Sequence, residues 1–448
     1  MPTFPPAAAP LKRRDVLQQA WPIILAGASV PLLGMADTAV MGHYGSIPEL
    51  AALALGVLLF NFLFWGFGFL RMATTGFVAQ AAGTGAPVQL LAAVLRPMLL
   101  GLLIGMGLLG LQWPLAAGFL AVMDAGPVVT GSSLEYVQAR IWGAPAALAL
   151  YALCGALIGL GHSRALLVVQ LVLNVSNALL DVWLAGVLGL GLAGIGYGTA
   201  LAEWGSCLLA ICLLWRALRG GLAGAGGRAV WGVLADRAAW RRLWQANGNL
   251  MVRTLCLLAG FAWFARLGAQ SGPATLAANH VLLQLVAFCA FFLDGFAHVA
   301  EARVGAAIGR GEGARLRCIV VVCSQVAAIS AVLLSLAVWL GAGWLVGVLT
   351  PLPAVVQLAP QYLPWVSLYV LLSVAAFQLD GVFIGALRTG AMRSAAVLSL
   401  LVFVPLAWLG QSLWGNHGLW AAMVVFVVAR ALCLWPAWRA MSRECRPA

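Results

Sequence analysis

Residues 66–85 read GFGFLRMATTGFVAQAAGTG, and residues 292–311 read FLDGFAHVAEARVGAAIGRG. The two stretches share their order of small, aliphatic and aromatic positions at a displacement of 226 residues. The same displacement lays Glu135-Tyr136 over Gln361-Tyr362, and LCGALIG (153–159) over LDGVFIG (379–385). One displacement that fits three separated blocks marks an internal duplication, and such self-similarity is an architectural signal.

Both copies sit in apolar surroundings. The chain has 448 residues, 63% hydrophobic and 8% charged, and a mean hydropathy of +1.00. A soluble domain carries about 25% charged residues. Apolar runs predict membrane helices at 17–41, 53–80, 90–113, 132–159, 164–186 and 190–215. A second set follows at 243–267, 276–304, 316–340, 361–387, 394–414 and 418–438. Within lipid every backbone polar group must be satisfied internally, so helices are the form such runs take. The expected fold is an all-α polytopic membrane protein, with twelve transmembrane helices in two pseudo-symmetric six-helix lobes. The N-terminal lobe is placed at 1–215, a cytoplasmic Arg/Gly-rich linker at 216–242, and the C-terminal lobe with a short cytoplasmic tail at 243–448. Six helices per half give both halves one orientation, a repeat type found in transporters that rock one half against the other.

The basic residues orient the bundle. Lys12, Arg13, Arg14 and Arg164, six arginines in 216–242, four in 303–317, Arg388, Arg393, Arg439, Arg443 and Arg446 fall on one side. The opposite connections carry Arg266. By the positive-inside rule both termini are expected in the cytoplasm. The net charge of +12 is therefore topological, with no basic face left for nucleic acid. The opening MPTFPPAAAP reads as no signal peptide, and Lys12-Arg13-Arg14 precede an uncleaved helix. Cysteines such as Cys154, Cys207, Cys289 and Cys323 lie in apolar runs without metal spacing, as small buried hydrophobes do.

Ionisable groups inside a bilayer are costly and point to function. Asp37 lies in the first span, WPIILAGASVPLLGMADTAVMGHYG, behind Pro22 and Pro31. An interior proline removes a backbone hydrogen bond and permits a kink. Asp181 closes NVSNALLD, where Asn174, Asn177 and Asp181 share one helix face. Both carboxylates fall near the outer ends of their spans, and the returning sixth span brings Thr199 to the same half. Two carboxylates, an amide and a hydroxyl at one depth suit a small hard cation such as sodium. They suit a proton equally, since burial and a neighbouring carboxylate both favour the neutral acid. The competing reading is a polar core that only fixes helix packing.

Asp294, His298 and Glu301 form a stripe on the eighth span, with Arg253 as a partner from the seventh. They read either as a second proton or substrate site or as a buried ion-pair network. Glu203 and Asp380 are single intramembrane acids, open between packing and coupling, and Arg71 is read as structural. GxxxxGK[ST], HExxH and GxSxG are absent, which argues against ATP hydrolysis by a P-loop and against an intramembrane enzyme.

Taken together, WPIILAGASVPLLGMADTAVMGHYG, GFLRMATTGFVAQAAG, NVSNALLD, LDGFAHVAEARVG and LDGVFIGALRTGAMRS make the chain resemble the multidrug and toxic compound extrusion family. The resemblance is to its DinF (DNA-damage-inducible) branch and covers nearly the whole chain. It implies a V of two lobes around a central cavity and cation-coupled efflux. It puts the cation site on Asp37, Asn177, Asp181 and Thr199 and the kink of the first helix at Pro22. The expected function is an antiporter, not an enzyme, that exports amphipathic or cationic organic compounds from a bacterial inner membrane. Proton coupling is favoured over sodium, with no cofactor and no obligate protein partner beyond the lipid bilayer. A lipid-linked oligosaccharide flippase is the alternative. It is disfavoured because intramembrane acids outnumber the evidently deep arginines.

Overall fold

A computed structural model describes residues 11–123, 126–221, 227–349 and 352–444. Arg446, with the rest of the tail beyond 444, lies outside the described residues. In the first half, α1 (Arg13–Ala28) and α2 (Val30–Tyr44) form one span, followed by α3 (Ile47–Trp65) and α4 (Phe69–Thr84). Next come α5 (Pro87–Gly110), α6 (Gln112–Met123), α7 (Pro127–Arg140) and α8 (Ala144–Gly159). Helices α9 (Ser163–Asp181) and α10 (Gly191–Leu218) complete that half, and α11 (Gly227–Leu234) lies in the expected linker. The second half runs α12 (Arg237–Gln270), α13 (Pro273–Gly309), α14 (Gly313–Leu349) and α15 (Pro353–Leu358). It closes with α16 (Leu363–Gly385), α17 (Thr389–Trp414) and α18 (Asn416–Glu444).

Twelve of these helices, or pairs joined end to end, are long and apolar enough to cross a membrane. Large apolar side chains stand exposed on them, Leu340 at 82% and Trp344 at 73% among them. That is the surface of a multi-pass protein whose solvent is lipid. Proline opens α5, α7, α13 and α15; its missing N–H is no loss in the first turn.

The duplication is visible in the helix starts. Ile47, Pro87, Pro127 and Ser163 begin helices, and Pro273, Gly313, Pro353 and Thr389 begin theirs 226 residues later. Packing repeats with the same step. A Cβ added to Gly155 of α8 would lie 2.3 Å from the Arg71 carbonyl oxygen of α4, and one on Gly159 2.7 Å from that of Thr75. In the second half a Cβ on Gly381 or Gly385 of α16 would stand 2.4 Å from the carbonyl oxygens of Ala297 and Glu301 in α13. Paired glycines at i and i+4 thus let two backbones touch, the small-residue mode of helix packing in membranes.

Contacts divide the chain into two compact units. The first is Leu25–Trp244; the second takes Gln245 onward together with α1 up to Ile24. This division does not follow the expected lobe boundaries at 215 and 243: the start of the first span groups with the second half, and the linker groups with the first. The linker does so because α11 packs on α5, where Arg96 donates to the Val233 carbonyl.

The first span is interrupted at Ser29, between α1 and α2, and not at Pro22, which lies inside α1. Pro31 has no N–H to offer the carbonyl one turn back, so the ladder lapses just before it. At the break, the Ser29 carbonyl accepts from Leu32 N–H (3.1 Å) and from the Asn174 amide of α9 (3.1 Å).

Candidate functional site

The first unit gathers a set of buried polar groups from the middle of α2, the last turns of α9 and the first third of α10. Asp37, Asn177, Asp181 and Thr199 are at most 2% exposed. Asn177 donates through Nδ2 to Thr199 Oγ1 (3.0 Å), and that hydroxyl donates to the Ile195 carbonyl (2.9 Å). The carboxyl groups of Asp37 and Asp181 lie in direct contact. As carboxylates neither can donate to the other. With both acids ionised, Asp37 Oδ1, both oxygens of Asp181 and the neighbouring Asn177 Oδ1 accept no hydrogen bond. Buried oxygens are almost always satisfied, so four unpaired ones in one place are the most unusual chemical feature of this unit. An all-oxygen set of carboxylate and amide groups fits a proton or a small hard cation.

Local backbone structure presents Asp181. Immediately after it the helix widens into a π-helical turn at Val182–Val187, a device common at functional sites. Helix α10 lies flush against that turn. A Cβ on Gly194 would be 2.7 Å from Ala185 N, and one on Gly198 would be 2.3 Å from Asp181 Oδ1. Glycine at 198 is therefore required for the carboxylate to sit where it does.

One turn beyond Thr199 on α10, Glu203 is gripped by Arg140 of α7 through two hydrogen bonds of 2.7 and 2.6 Å. The guanidinium also lies over the rings of Phe60 (5.0 Å) and Phe64 (5.4 Å). Arg140 is the cation that acts on Asp37 and Asp181, but its fork is already committed to Glu203. Sequence reading left Glu203 open and missed Arg140. The signal was available, because an arginine followed by IWGAPAALALYAL is as anomalous in lipid as a lone aspartate.

In the second unit, Asp294, His298 and Glu301 all stand on α13, and His298 Nδ1 is 3.1 Å from Glu301 Oε1. Arg253 was expected beside these acids. Its guanidinium instead reaches Asp380 of α16, as does that of Arg430 from α18. One carboxylate facing two guanidiniums holds both more strongly than an acid already bonded to a histidine. Arg430 was also unmarked in the sequence reading. Elsewhere in this unit Asn279 and Asn416 exchange amide hydrogen bonds (2.8 and 2.9 Å) and Trp420 donates to Asn279 Oδ1 (2.9 Å), a closed network that fixes α13 on α18. Among the described residues no three His, Cys, Asp or Glu side chains assemble as a metal-binding group.

Comparison with known proteins accords with this architecture. The family model described as MatE matches residues 22–183 and 250–409, each match falling in one half of the duplication. DNA damage-inducible protein F of Escherichia coli K12 is 35% identical over 94% of this chain and 90% of its own. A probable multidrug resistance protein NorM of Xanthomonas campestris is 26% identical over 99% and 98%. The fold matches the Vibrio cholerae MATE transporter VcmN in its bent form with a TM-score of 0.83 at 19% identity, over 97% of each chain. An outward-facing MATE family transporter matches at 0.86 and 16%, again over 97% of each. A twelve-span duplicated bundle, a family match across both halves and a relative identical at a third of its positions lead to one assignment: this chain belongs to the MatE family, on its DinF branch, and is a membrane transporter rather than an enzyme.

Proposed function

We propose that the protein is a cation-coupled antiporter that exports amphipathic or cationic organic compounds by alternating access, with the proton as coupling ion and sodium as the rival. The carrying observation is the set of four unpaired buried oxygens on Asp37, Asn177 and Asp181. Two adjacent carboxylates whose one cation, Arg140, is already bonded to Glu203 are expensive in a dry core. A proton placed between them, or a sodium ion held by the four side chains, removes that cost. Each would be lost again when the site opens to a compartment where the ion is scarce. The names of the relatives, several of which speak of multidrug resistance, support organic compounds as cargo.

Neutralising the pair changes what α2 presents to α9. The first span can respond because it is already interrupted at Ser29 and carries a second proline, Pro22, one to two turns earlier. Coupling follows if the ion and the cargo prefer different conformations, since a ligand shifts an equilibrium only by its differential affinity. Asp294, His298 and Glu301 form a second station for proton exchange in the other half. Both termini face the cytoplasm of a bacterial inner membrane, and the chain works without an obligate protein partner or cofactor. A lipid-linked oligosaccharide flippase is the second reading. What favours it is the excess of buried arginine over acid in the second unit.

The deciding experiment uses proteoliposomes containing the purified chain and a fluorescent organic cation. A pH gradient and, separately, a sodium gradient are imposed. Dye movement that follows one gradient and disappears in Asp37→Asn is the expected result. Movement under neither, with transport of a lipid-linked sugar, would replace the antiporter by the flippase.

A further inference from the structure

Helix α1 carries Arg13, Leu17, Trp21 and Ile24 along one face, and that face lines a groove together with α13 and α14. The groove lies wholly within the second unit, which includes α1 up to Ile24. It encloses ≈ 420 Å³. Ile24, Phe296 and Val326 form a buried floor. Leu17, Trp21, Ile329 and Leu333 form an exposed rim, and Trp21 meets Phe292 edge to face at 6.5 Å. Apart from Ser330 the walls are apolar until Arg13 is reached. Exposed tryptophan and leucine at the rim turn the opening toward hydrocarbon.

The groove has a charged end. Arg13 donates through Nε and Nη2 to Gln325 Oε1 of α14 (3.2 and 2.8 Å). That acceptor is a neutral amide, and among the described residues no carboxylate pairs with Arg13. The acid of the same turn, Asp15, stands round the helix and accepts from the Lys12 backbone N–H (3.0 Å). The guanidinium is thus held in one orientation with its charge uncompensated and Nη1 still to be used, a fork suited to phosphate. From Arg13 to Ile24 the helix rises about 16 Å, half of a hydrocarbon core about 30 Å thick. An oriented cation at headgroup level and an apolar trough reaching the midplane match the phosphate and one acyl chain of a phospholipid. A net negative headgroup compensates Arg13, whereas a zwitterionic one brings its own cation.

We propose that this groove is a binding site for an anionic phospholipid from the leaflet that faces the start of α1. Arg13 holds the phosphate, and one acyl chain lies between α1 and α14. The bound lipid fastens the start of the first span to the second unit, beside the contact in which Arg303 donates to Gln19 (3.1 Å). The span is interrupted at Ser29, just beyond the groove. The lipid therefore holds one arm of the interrupted span, while α2 with Asp37 forms the other.

The test uses the full chain purified in a neutral detergent and two phospholipids with the same acyl chains, phosphatidylglycerol and phosphatidylcholine. Bound lipid is counted by native mass spectrometry, and the melting temperature is followed as each lipid is added. One phosphatidylglycerol should bind about tenfold more tightly than phosphatidylcholine and raise the melting temperature. Arg13→Gln should remove that preference without weakening phosphatidylcholine, and Arg13→Lys, which keeps the charge, should recover part of it. Arg14→Gln alters a residue that lines no part of the groove and should leave the preference intact. Ile329→Trp, at the exposed rim, fills the groove and should lower the affinity for both lipids about tenfold. Equal affinities in the wild type, or equal losses in Arg13→Gln and Arg14→Gln, would reduce the site to general attraction between a basic end and anionic lipid, and the inference falls. Binding that is insensitive to Ile329→Trp would put the lipid elsewhere and overturn it as well. A fluorescent organic cation that displaces phosphatidylglycerol from the wild type and fails to bind Ile329→Trp would make the groove a cargo site instead. None of these readouts requires export, so the transport reading stands or falls separately.

Discussion

Positions 37, 177, 181, 199 and 203 carry Asp, Asn, Asp, Thr and Glu; 226 residues later stand Trp263, Phe403, Ala407, Val425 and Ala429. The copies share helix starts and glycine contacts, yet where the first holds its polar cluster the second is apolar. Phe403 and Ala407 belong to the core that also contains Phe264, Trp420 and Phe426. The reverse holds for the charged group of the second unit, since Arg253, Asp380 and Arg430 correspond to Gly27, Cys154 and Trp204. Buried acids outnumber buried arginines in the first unit (Asp37, Asp181 and Glu203 against Arg140). In the second they are outnumbered (Glu301 and Asp380 against Arg253, Arg303 and Arg430). The scaffold therefore specifies where helices run and touch, and tolerates either a polar or a dry centre. Chemistry resides in the positions that the duplication did not keep alike.

The largest expected effect comes from erasing the acid excess. Asp37→Asn or Asp181→Asn should abolish gradient-driven dye efflux in vesicles. Neither should lower thermal stability at neutral pH, and either should raise it, because a neutral amide replaces an unpaired buried carboxylate. Loss of efflux accompanied by a lower melting temperature would turn the cluster into a packing feature and break the contrast.

Next is the pair that has only one partner on each side. Arg140→Gln strands Glu203, and removing one member of a buried pair costs about 3–5 kcal/mol. Arg253→Gln leaves Asp380 with Arg430, so the loss is nearer that of one hydrogen bond to a charged group, about 1.5–3 kcal/mol. Thermal unfolding of the two variants in one detergent measures the difference. Equal losses would show that the second arginine at Asp380 adds nothing. The double variant Arg140→Gln/Glu203→Gln should recover most of the stability but not the efflux.

A smaller effect is expected at Gly198, whose counterpart is Val424. Valine is accommodated there, 6% exposed, because Ala407 stands where Asp181 would be. Gly198→Ala puts a methyl 2.3 Å from Asp181 Oδ1. Overpacking of this kind costs about 1–3 kcal/mol, and here the group that must move is the carboxylate, so efflux should fall more steeply than stability. Efflux unchanged in Gly198→Ala would mean that the position of Asp181 is not critical.

The same contrast explains what could be read from the sequence. Duplication, span number and the acids at 37 and 181 were legible because each is a local anomaly or a repeated one. Helices α6 and α11 were not: twelve and eight residues are too short to register as spans. Arg140 and Arg430 were as anomalous as the aspartates, but topology draws attention to arginines near helix ends, and both were passed over. Which arginine meets which acid is a tertiary result. The sequence neighbourhood of Arg253 suggested α13, and packing delivered it to α16. The π-helical turn after Asp181 left no trace in composition, since it depends on Gly194 and Gly198 arriving from another helix. The break at Ser29 was half legible, because Pro22 and Pro31 were equally eligible until the structure showed the helix continuous through the first.

The smallest expected effect is at Thr199, where the second copy has Val425. Thr199→Val is nearly isosteric, so packing survives, but the acceptor of the Asn177 amide disappears. Asn177 then has an unpaired nitrogen as well as its unpaired oxygen, and an orphaned buried donor costs about 1–3 kcal/mol. The amide can offset part of this by turning its nitrogen toward Asp181. That rotation would give a carboxylate the partner it lacks and so weaken its demand for a proton or sodium ion. The expected outcome is a protein of near wild-type stability whose half-maximal efflux requires about three- to tenfold more coupling ion, the shift that roughly 1 kcal/mol produces. Thr199→Ser should restore the wild-type value, because it returns the hydroxyl without the methyl. If Thr199→Val needs no additional ion, Thr199 serves only to pack α10 against α9, and the cluster reduces to the two aspartates and Asn177.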